Sequence, residues 1–314
     1  MDLEAFHADN KNNAVVLSSV PEVTKRKACM LGIDEAGRGP VLGPMVYASA
    51  YCPLEDQDSL KELGFADSKT LTEGKREELF EEADKRCEWL GWMLEVISPT
   101  VICNSMLNIS KYSLNAVSHD AAMALIRRAL DNGVNVKQVY VDTVGPVDKY
   151  QTKLEASFPD LDITVAKKAD ATFPIVSAAS VCAKVARDSV VSRWYFPEGL
   201  TDQDYGSGYP GDPVTQKFLS QSMDSIFGFS SLVRFSWLTA DKILQEKASP
   251  VTWLVLRYLL CSNQRCTQFQ YAQLKDTLSL WDRVTPSAVV DANLSRIVFS
   301  RANRMYWVRE PVVF

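Results

Sequence analysis

An α/β fold is expected for this 314-residue chain from three features of its order. Short apolar runs of strand length alternate with longer amphipathic stretches of helix length. Gly- and Pro-containing turns separate them. Acidic residues stand where several of the apolar runs stop: Asp34 and Glu35, then Asp142, then Asp170. Ligands of open α/β sheets gather beyond the strand ends, so these junctions are where a site is expected.

Residues 1 to about 27 read as an irregular arm ending in Lys25-Arg26-Lys27. That run is too short to choose between a nuclear address, a phosphate contact and a solvated surface. Ala28 to Ile33 is the first strand. It meets Asp34 and Glu35 and then Gly37, Arg38, Gly39 and Pro40, which no ordinary strand holds. Neighbouring strand side chains point to opposite faces, so the strand must end or twist for the two acids to share a task. Two like charges beside a buried run cost free energy unless a bound cation compensates them. The glycines let a ligand approach the backbone, and Arg38 offers a planar fork for phosphate. The plainer reading of this stretch alone is a tight hairpin with two solvated acids at its mouth. Met45 to Cys52 forms the second strand.

A polar loop spans Pro53 to Ala66, and Asp67-Ser68-Lys69 follows. Thr70 with Glu73 resembles a capping box, which predicts a helix from about Thr72 to Leu90, stopped by Gly91. Trp92 to Ser98 is a third strand, and Pro99 opens a short helix. Ser113 to Asn132 reads as a strong helix. Leu114, Val117, Ala121, Ala124 and Leu125 share one face, and Gly133 ends it. His119 lies off that stripe and reads as a surface or supporting histidine. Gln138 to Val141 is a fourth strand that ends on Asp142-Thr143-Val144-Gly145-Pro146. A short helix near Lys149 to Phe158 and a fifth strand, Asp162 to Ala166, lead to Lys167-Lys168-Ala169-Asp170. A helix follows from Pro174 to about Tyr195, with proline at its first turn.

Phe196 to Pro213 is a loop rich in Gly, Asp, Tyr and Pro, either a plain connection or an aromatic platform for a sugar or base. Asp212 to Phe227 reads as helical, Phe235-Ser236-Trp237 opens another segment, and Val251 to Leu260 as an amphipathic or buried helix. One acid at a strand end is commonplace, because Asp favours turns and caps. Three such junctions in one chain favour a carboxylate metal cluster.

Composition narrows the chemistry. The chain has two histidines, His7 and His119, so a histidine-rich metal site is excluded and a Ser-His-Asp triad would have to use one of them. Its seven cysteines are odd in number, scattered and without a Cys-x-x-Cys pair, which fits reduced thiols rather than a zinc cage. Any metal ligands are therefore expected to be oxygens, suited to a hard ion such as Mg2+ or Mn2+. The start of the chain lacks the apolar region of a secretory signal, and no apolar run approaches the roughly 18 residues of a membrane span. The net charge of −5 argues mildly against nucleic acid. The charge is uneven, however: Val165 to Trp194 holds five basic residues against two acidic ones, and a local basic face can still bind phosphates.

These residues resemble a known family. Asp34-Glu35-Ala36-Gly37-Arg38-Gly39-Pro40 with Gly43-Pro44, Asp67-Ser68-Lys69, Asp142-Thr143-Val144-Gly145, Lys168-Ala169-Asp170, Ser177 to Asp188, and Asp204-Tyr205-Gly206-Ser207-Gly208-Tyr209-Pro210 resemble, in order, the signature of type-2 ribonuclease H, the ribonuclease HII family. They look more like the catalytic A subunit of the eukaryotic enzyme than the bacterial or archaeal form. The resemblance spans about Ala28 to Leu244. It implies a ribonuclease H-like mixed sheet flanked by helices with a helical C-terminal part. That gives an irregular arm (1–27), a catalytic domain (28–245) and a divergent extension (246–314). It further implies an endoribonuclease, nuclear and active in replication and ribonucleotide excision repair. Such an enzyme cuts the RNA strand of RNA/DNA hybrids and incises 5′ of single ribonucleotides in duplex DNA, working with two accessory subunits in a heterotrimer.

The family's metal-binding, catalytic acids carry over to Asp34, Glu35, Asp142 and Asp170. Its Gly-Arg-Gly element carries over to Gly37, Arg38 and Gly39, and its substrate-sensing tyrosine to Tyr205. Two-metal-ion hydrolysis with Mg2+ or Mn2+ is then expected, along with recognition of a 2′-hydroxyl by the glycine turn. Lys69, Lys184 and Arg187 are candidate phosphate contacts, with structural salt bridges as the alternative reading of all three. Lys184 and Arg187, three apart, share one helix face.

Overall fold

The structure is a computed structural model. It describes residues 1–65, 71–108, 112–200 and 204–249, with the backbone of residues 297–299 and 305–307. In chain order the elements are α1 (Glu4–Ala8), β1 (Ala14–Leu17), α2 (Glu22–Arg26), β2 (Cys29–Ala36), β3 (Met45–Pro53), a 3-10 turn (Leu54–Asp56), α3 (Gln57–Glu62), α4 (Glu73–Lys85), β4 (Gly91–Ile97), α5 (Pro99–Leu107) and α6 (Leu114–Asp131). They continue with β5 (Val136–Asp142), α7 (Val147–Ser157), β6 (Asp162–Ala166), α8 (Ala169–Thr172), α9 (Pro174–Ser192), α10 (Pro213–Ser222), α11 (Leu238–Lys247), β7 (Ile297–Phe299) and β8 (Met305–Trp307).

Six strands form one mixed sheet in the order β1-β4-β3-β2-β5-β6. β2 sits inside it, antiparallel to β3 and parallel to β5, which is parallel to β6. β2 is buried along nearly all its length, which is why it reads as an almost continuous apolar run. Its alternate side chains serve two cores. Leu31 and Ile33 pack with Leu125 and Ile126 of α6 and Leu154 of α7. The opposite face packs against α9, which brings Ile175, Ala179 and Ala183 to the second core, and α4 packs in turn against α9 with Leu79 and Phe80 in that core. Ser113 caps α6 through the Ala116 N–H, and Thr72 caps α4 through the Lys75 N–H.

Several expectations are corrected. The first 27 residues are not irregular: β1 pairs with β4 at the sheet edge, and Leu3 and Phe6 are buried. The signal was weak because an edge strand of four residues draws its hydrogen bonds from a partner about 80 residues away. The cap of α4 is Thr72, while Thr70 lies outside the described residues. The predicted loop 53–66 contains α3, and the helix expected over 212–227 ends at Ser222. The first strand does not stop before Asp34. It runs on to Ala36, with Asp34 opposite Ala48 and Glu35 opposite Tyr47. Beyond residue 249, β7 and β8 pair antiparallel. Val251 to Leu260 and most of the expected extension lie outside the described residues.

Candidate active site

Parallel pairing sets the acids side by side. Ile33 is in register with Val141, so Asp34 and Asp142 both emerge at the carboxyl edge of the sheet. Asp142 is in register with Ala166 at the end of β6, and the chain then turns into α8, which carries Asp170. That turn uses Lys168 at φ 55°, the left-handed region that a non-glycine residue occupies at a cost of about 1–2 kcal/mol. In return the Ala169 N–H donates to Asp142 Oδ1 at 2.8 Å, fixing that carboxylate.

Oxygens of Asp34, Glu35 and Asp142 all lie within 4.8 Å of one another, and Asp170 lines the same cleft. Asp34 and Asp170 are buried, and the other two are half-buried. The two neighbours on β2 reach the cleft from opposite faces of the sheet: Asp34 stands on the α9 side, and Glu35 on the side of Tyr47 and Tyr150. They meet because they sit where the strand runs out.

This crowding raises both acids. Burial pushes the Asp34 carboxyl up to about 7, the Asp142 charge adding to the rise while a Ser180 hydrogen bond and the Lys184 ammonium oppose it. Burial, and then the charges of Asp34 and Asp142, hold Glu35 well above the usual carboxylate range. Glu35 Oε2 is buried with no hydrogen-bond partner among the described residues. A buried, unpartnered carboxylate oxygen among three more acids suits a hard divalent cation.

The basic side of the cleft comes mainly from α9. Lys184 Nζ donates to Ser180 Oγ at 2.6 Å. Arg187 lies 3.7 Å from Asp188, whose other oxygen pairs with Arg76 of α4 at 3.1 Å. Lys184, Arg187 and Arg76 all line the cleft. Arg76 escaped the sequence reading because nothing local marks it, whereas Lys69 lies outside the described residues.

Gly37, Arg38 and Gly39 form the cleft's rim. Gly37 has φ +75°, and a Cβ there would run into Arg187 Nε and meet the Pro44 carbonyl at 2.7 Å. Arg38 donates to Asn115 of α6, so its guanidinium is braced by protein. His119, read as a supporting residue, stacks on Tyr150 at 3.9 Å and sits 3.3 Å from the Val144 carbonyl; it does not line the cleft.

The structure places Tyr205 away from the cleft. Its hydroxyl donates to the Val191 carbonyl, and its ring packs with Phe196 and Phe218. Tyr209, four residues on, is the tyrosine that lines the cleft. It is 53% exposed, with its ring 3.3 Å from where a Cβ on Gly39 would stand. Both tyrosines belong to the same loop motif, so sequence alone could not choose between them.

A family model described as Ribonuclease HII matches residues 31–240. The ribonuclease H2 A subunit of Homo sapiens is 53% identical over 81% of this chain and 85% of its own length. The protein of the same name from Caenorhabditis elegans is 54% identical over 72% of this chain and 78% of its own. Among solved structures, ribonuclease H2 from Pyrococcus horikoshii OT3 superposes with a TM-score of 0.59 at 31% identity, covering 69% of this chain and 98% of that one.

Proposed function

The chain belongs to the ribonuclease HII family and is a ribonuclease H, a hydrolase that cleaves the RNA strand of RNA/DNA hybrids; from that premise we propose that it also incises on the 5′ side of single ribonucleotides in duplex DNA. The observation that carries the reading is the cluster of Asp34, Glu35 and Asp142 beside a glycine turn on the rim of one cleft. Asp34, Glu35, Asp142 and Asp170 would hold Mg2+ or Mn2+. When bound, a pair of such ions supplies a hydroxide-like nucleophile and stabilises the leaving 3′ oxygen.

The protein's own groups do the rest. Lys184 and Arg187 offset phosphate charge on the α9 wall. The turn at Gly37, Arg38 and Gly39 brings backbone close enough to test a 2′-hydroxyl. Tyr209 supports the sugar or base next to the ribonucleotide, the role expected of Tyr205. The naming of the relatives as one subunit of ribonuclease H2 supports assembly with accessory subunits, expected as two in a nuclear heterotrimer. Among the described residues no helix is long and apolar enough to cross a membrane.

The direct test is Mg2+-dependent nicking of a duplex holding one ribonucleotide, against the same sequence as all-DNA, with any copurifying subunits retained. Only the first is expected to be cut; equal cutting of both would refute ribonucleotide specificity. In this assay Tyr209→Ala is expected to lose about tenfold to a hundredfold, from roughly 1–3 kcal/mol of stacking. Tyr205→Phe should cut within about twofold of wild type and lose about 1 kcal/mol of stability with its hydrogen bond. The opposite order of effects would return the role to Tyr205.

The raised Asp34 fixes a pH dependence. Without metal, the folded state holds a proton on Asp34 up to about pH 7, whereas the unfolded chain gives it up near the ordinary value of about 3.9. Between these limits the folded state binds more protons, so this group's contribution to stability falls as pH rises. Cation binding must displace the proton. Mg2+ affinity is therefore expected to rise as pH rises through 7. Calorimetry near pH 6.5 in two buffers of different ionisation heat should detect proton release. Affinity that stays flat from pH 6 to 8 would show that Asp34 is already ionised.

A further inference from the structure

We propose that Arg234, assisted by Trp237, is the positioning residue of the Gly37-Arg38-Gly39 turn, setting the direction in which the turn's amide groups face the ribose. This rests on the reading of that turn as the ribose tester.

Arg234 is fully buried, which is rare for arginine unless a partner meets it. Its partners are carbonyls. Nη2 donates to Gly37 O at 2.7 Å, Nη1 to Arg38 O at 3.1 Å and Nε to Gly43 O at 2.8 Å. Trp237 stacks on the guanidinium at 4.8 Å and donates its ring N–H to Gly39 O at 3.0 Å. Two side chains from one short segment thus hold the carbonyls of all three turn residues, from nearly 200 positions along the chain. The Arg234 N–H also binds Val41 O, and the Gly43 N–H binds Leu232 O, both at 2.8 Å, clamping the far side of the turn.

A trans peptide is planar, with its N–H opposite its C=O. Drawing the carbonyls of Gly37 and Arg38 toward Arg234 therefore points the N–H groups of Arg38 and Gly39 the other way. No backbone carbonyl of the described residues takes these two N–H groups. Gly39 is followed by Pro40, which has no N–H to offer.

A merely structural role explains Arg234 less well. Burial lowers its pKa to about 9, with the nearby Arg187 charge also lowering it, so the cation is held at a cost. Well-packed apolar side chains often replace such buried charges without loss. Five donors in a rigid fork suit the simultaneous capture of several carbonyls, which a single ammonium cannot match.

The test uses the full chain with any copurifying subunits. It compares kcat/KM on the single-ribonucleotide duplex with the Kd of the matching all-DNA duplex, alongside Tm. Arg234→Met is expected to lower kcat/KM about thirtyfold or more while all-DNA affinity stays within about twofold; Arg234→Lys should recover only part of the loss. Trp237→Phe keeps an aromatic ring, though a smaller one, and removes the donor to Gly39 O, and a threefold to tenfold loss is expected, again confined to the ribonucleotide duplex. Should Arg234→Met fail to fold, Trp237→Phe decides. Folded variants with unchanged kcat/KM, or with equal losses on both duplexes, would overturn the proposal. Gly37→Ala separates this from the premise: if that variant keeps its ribonucleotide activity, the turn is not the tester and both readings fall. If Gly37→Ala loses it while the Arg234 and Trp237 variants do not, the positioning role alone falls.

Discussion

Asp142→Asn is expected to abolish cleavage while leaving the fold intact. The carboxylate stands at the end of β5, with its oxygen within 4.8 Å of oxygens of Asp34 and Glu35. An amide is a much weaker ligand for a hard cation. Losing Lewis-acid stabilisation worth several kcal/mol corresponds to a fall on the order of a thousandfold or more. The fold should tolerate the change for two reasons. An asparagine oxygen can still accept the Ala169 N–H that Asp142 accepts at 2.8 Å. The substitution also removes a negative charge that raises both Asp34 and Glu35. In metal-free buffer the variant is therefore expected to unfold at or slightly above the wild-type temperature. A near-normal rate in Mg2+ would remove the carboxylate cluster from the mechanism, and a collapsed Tm would mean that Asp142 is chiefly structural.

Gly32→Ala is expected to be the most damaging small change in the interior. A Cβ at this position in β2 would lie 2.5 Å from the Ile175 carbonyl carbon and oxygen, and 2.6 Å from the Val176 nitrogen. These are backbone atoms in the first turn of α9, so no side-chain rotation relieves the contact. Either the helix moves off the sheet or the strand bends. Overpacking typically costs 1–3 kcal/mol and sometimes more, so about 3 kcal/mol is expected here. For a chain of this size that is a Tm fall of about 5 °C, readable by circular dichroism. Activity should fall with it, because α9 also carries Lys184 and Arg187 to the cleft. An unchanged Tm would show that β2 and α9 have slack between them.

Much of this architecture was legible in the sequence because its causes are local. The fifth strand, Asp162 to Ala166, and the strong helix closed by Gly133 stand where apolar periodicity and turn residues placed them. So does Asp142, the charged residue that closes the apolar run of β5. β1 was missed because its hydrogen bonds come from β4 rather than from its own short run. β2 was cut short because two acids look like an ending, although pairing with β3 continues through them to Ala36.

By itself, then, the order of residues determined the kind of fold, the exclusion of a histidine-rich donor set and the junctions near which four acids stand. Tertiary structure alone decided which tyrosine of one loop lines the cleft, that Arg76 joins Arg187 around Asp188, and that Arg234 holds the glycine turn from behind. The physical reason is range: periodicity and turn chemistry act over a few residues. The partner of a buried polar group is set by whatever packing brings to it, here from nearly 200 positions away.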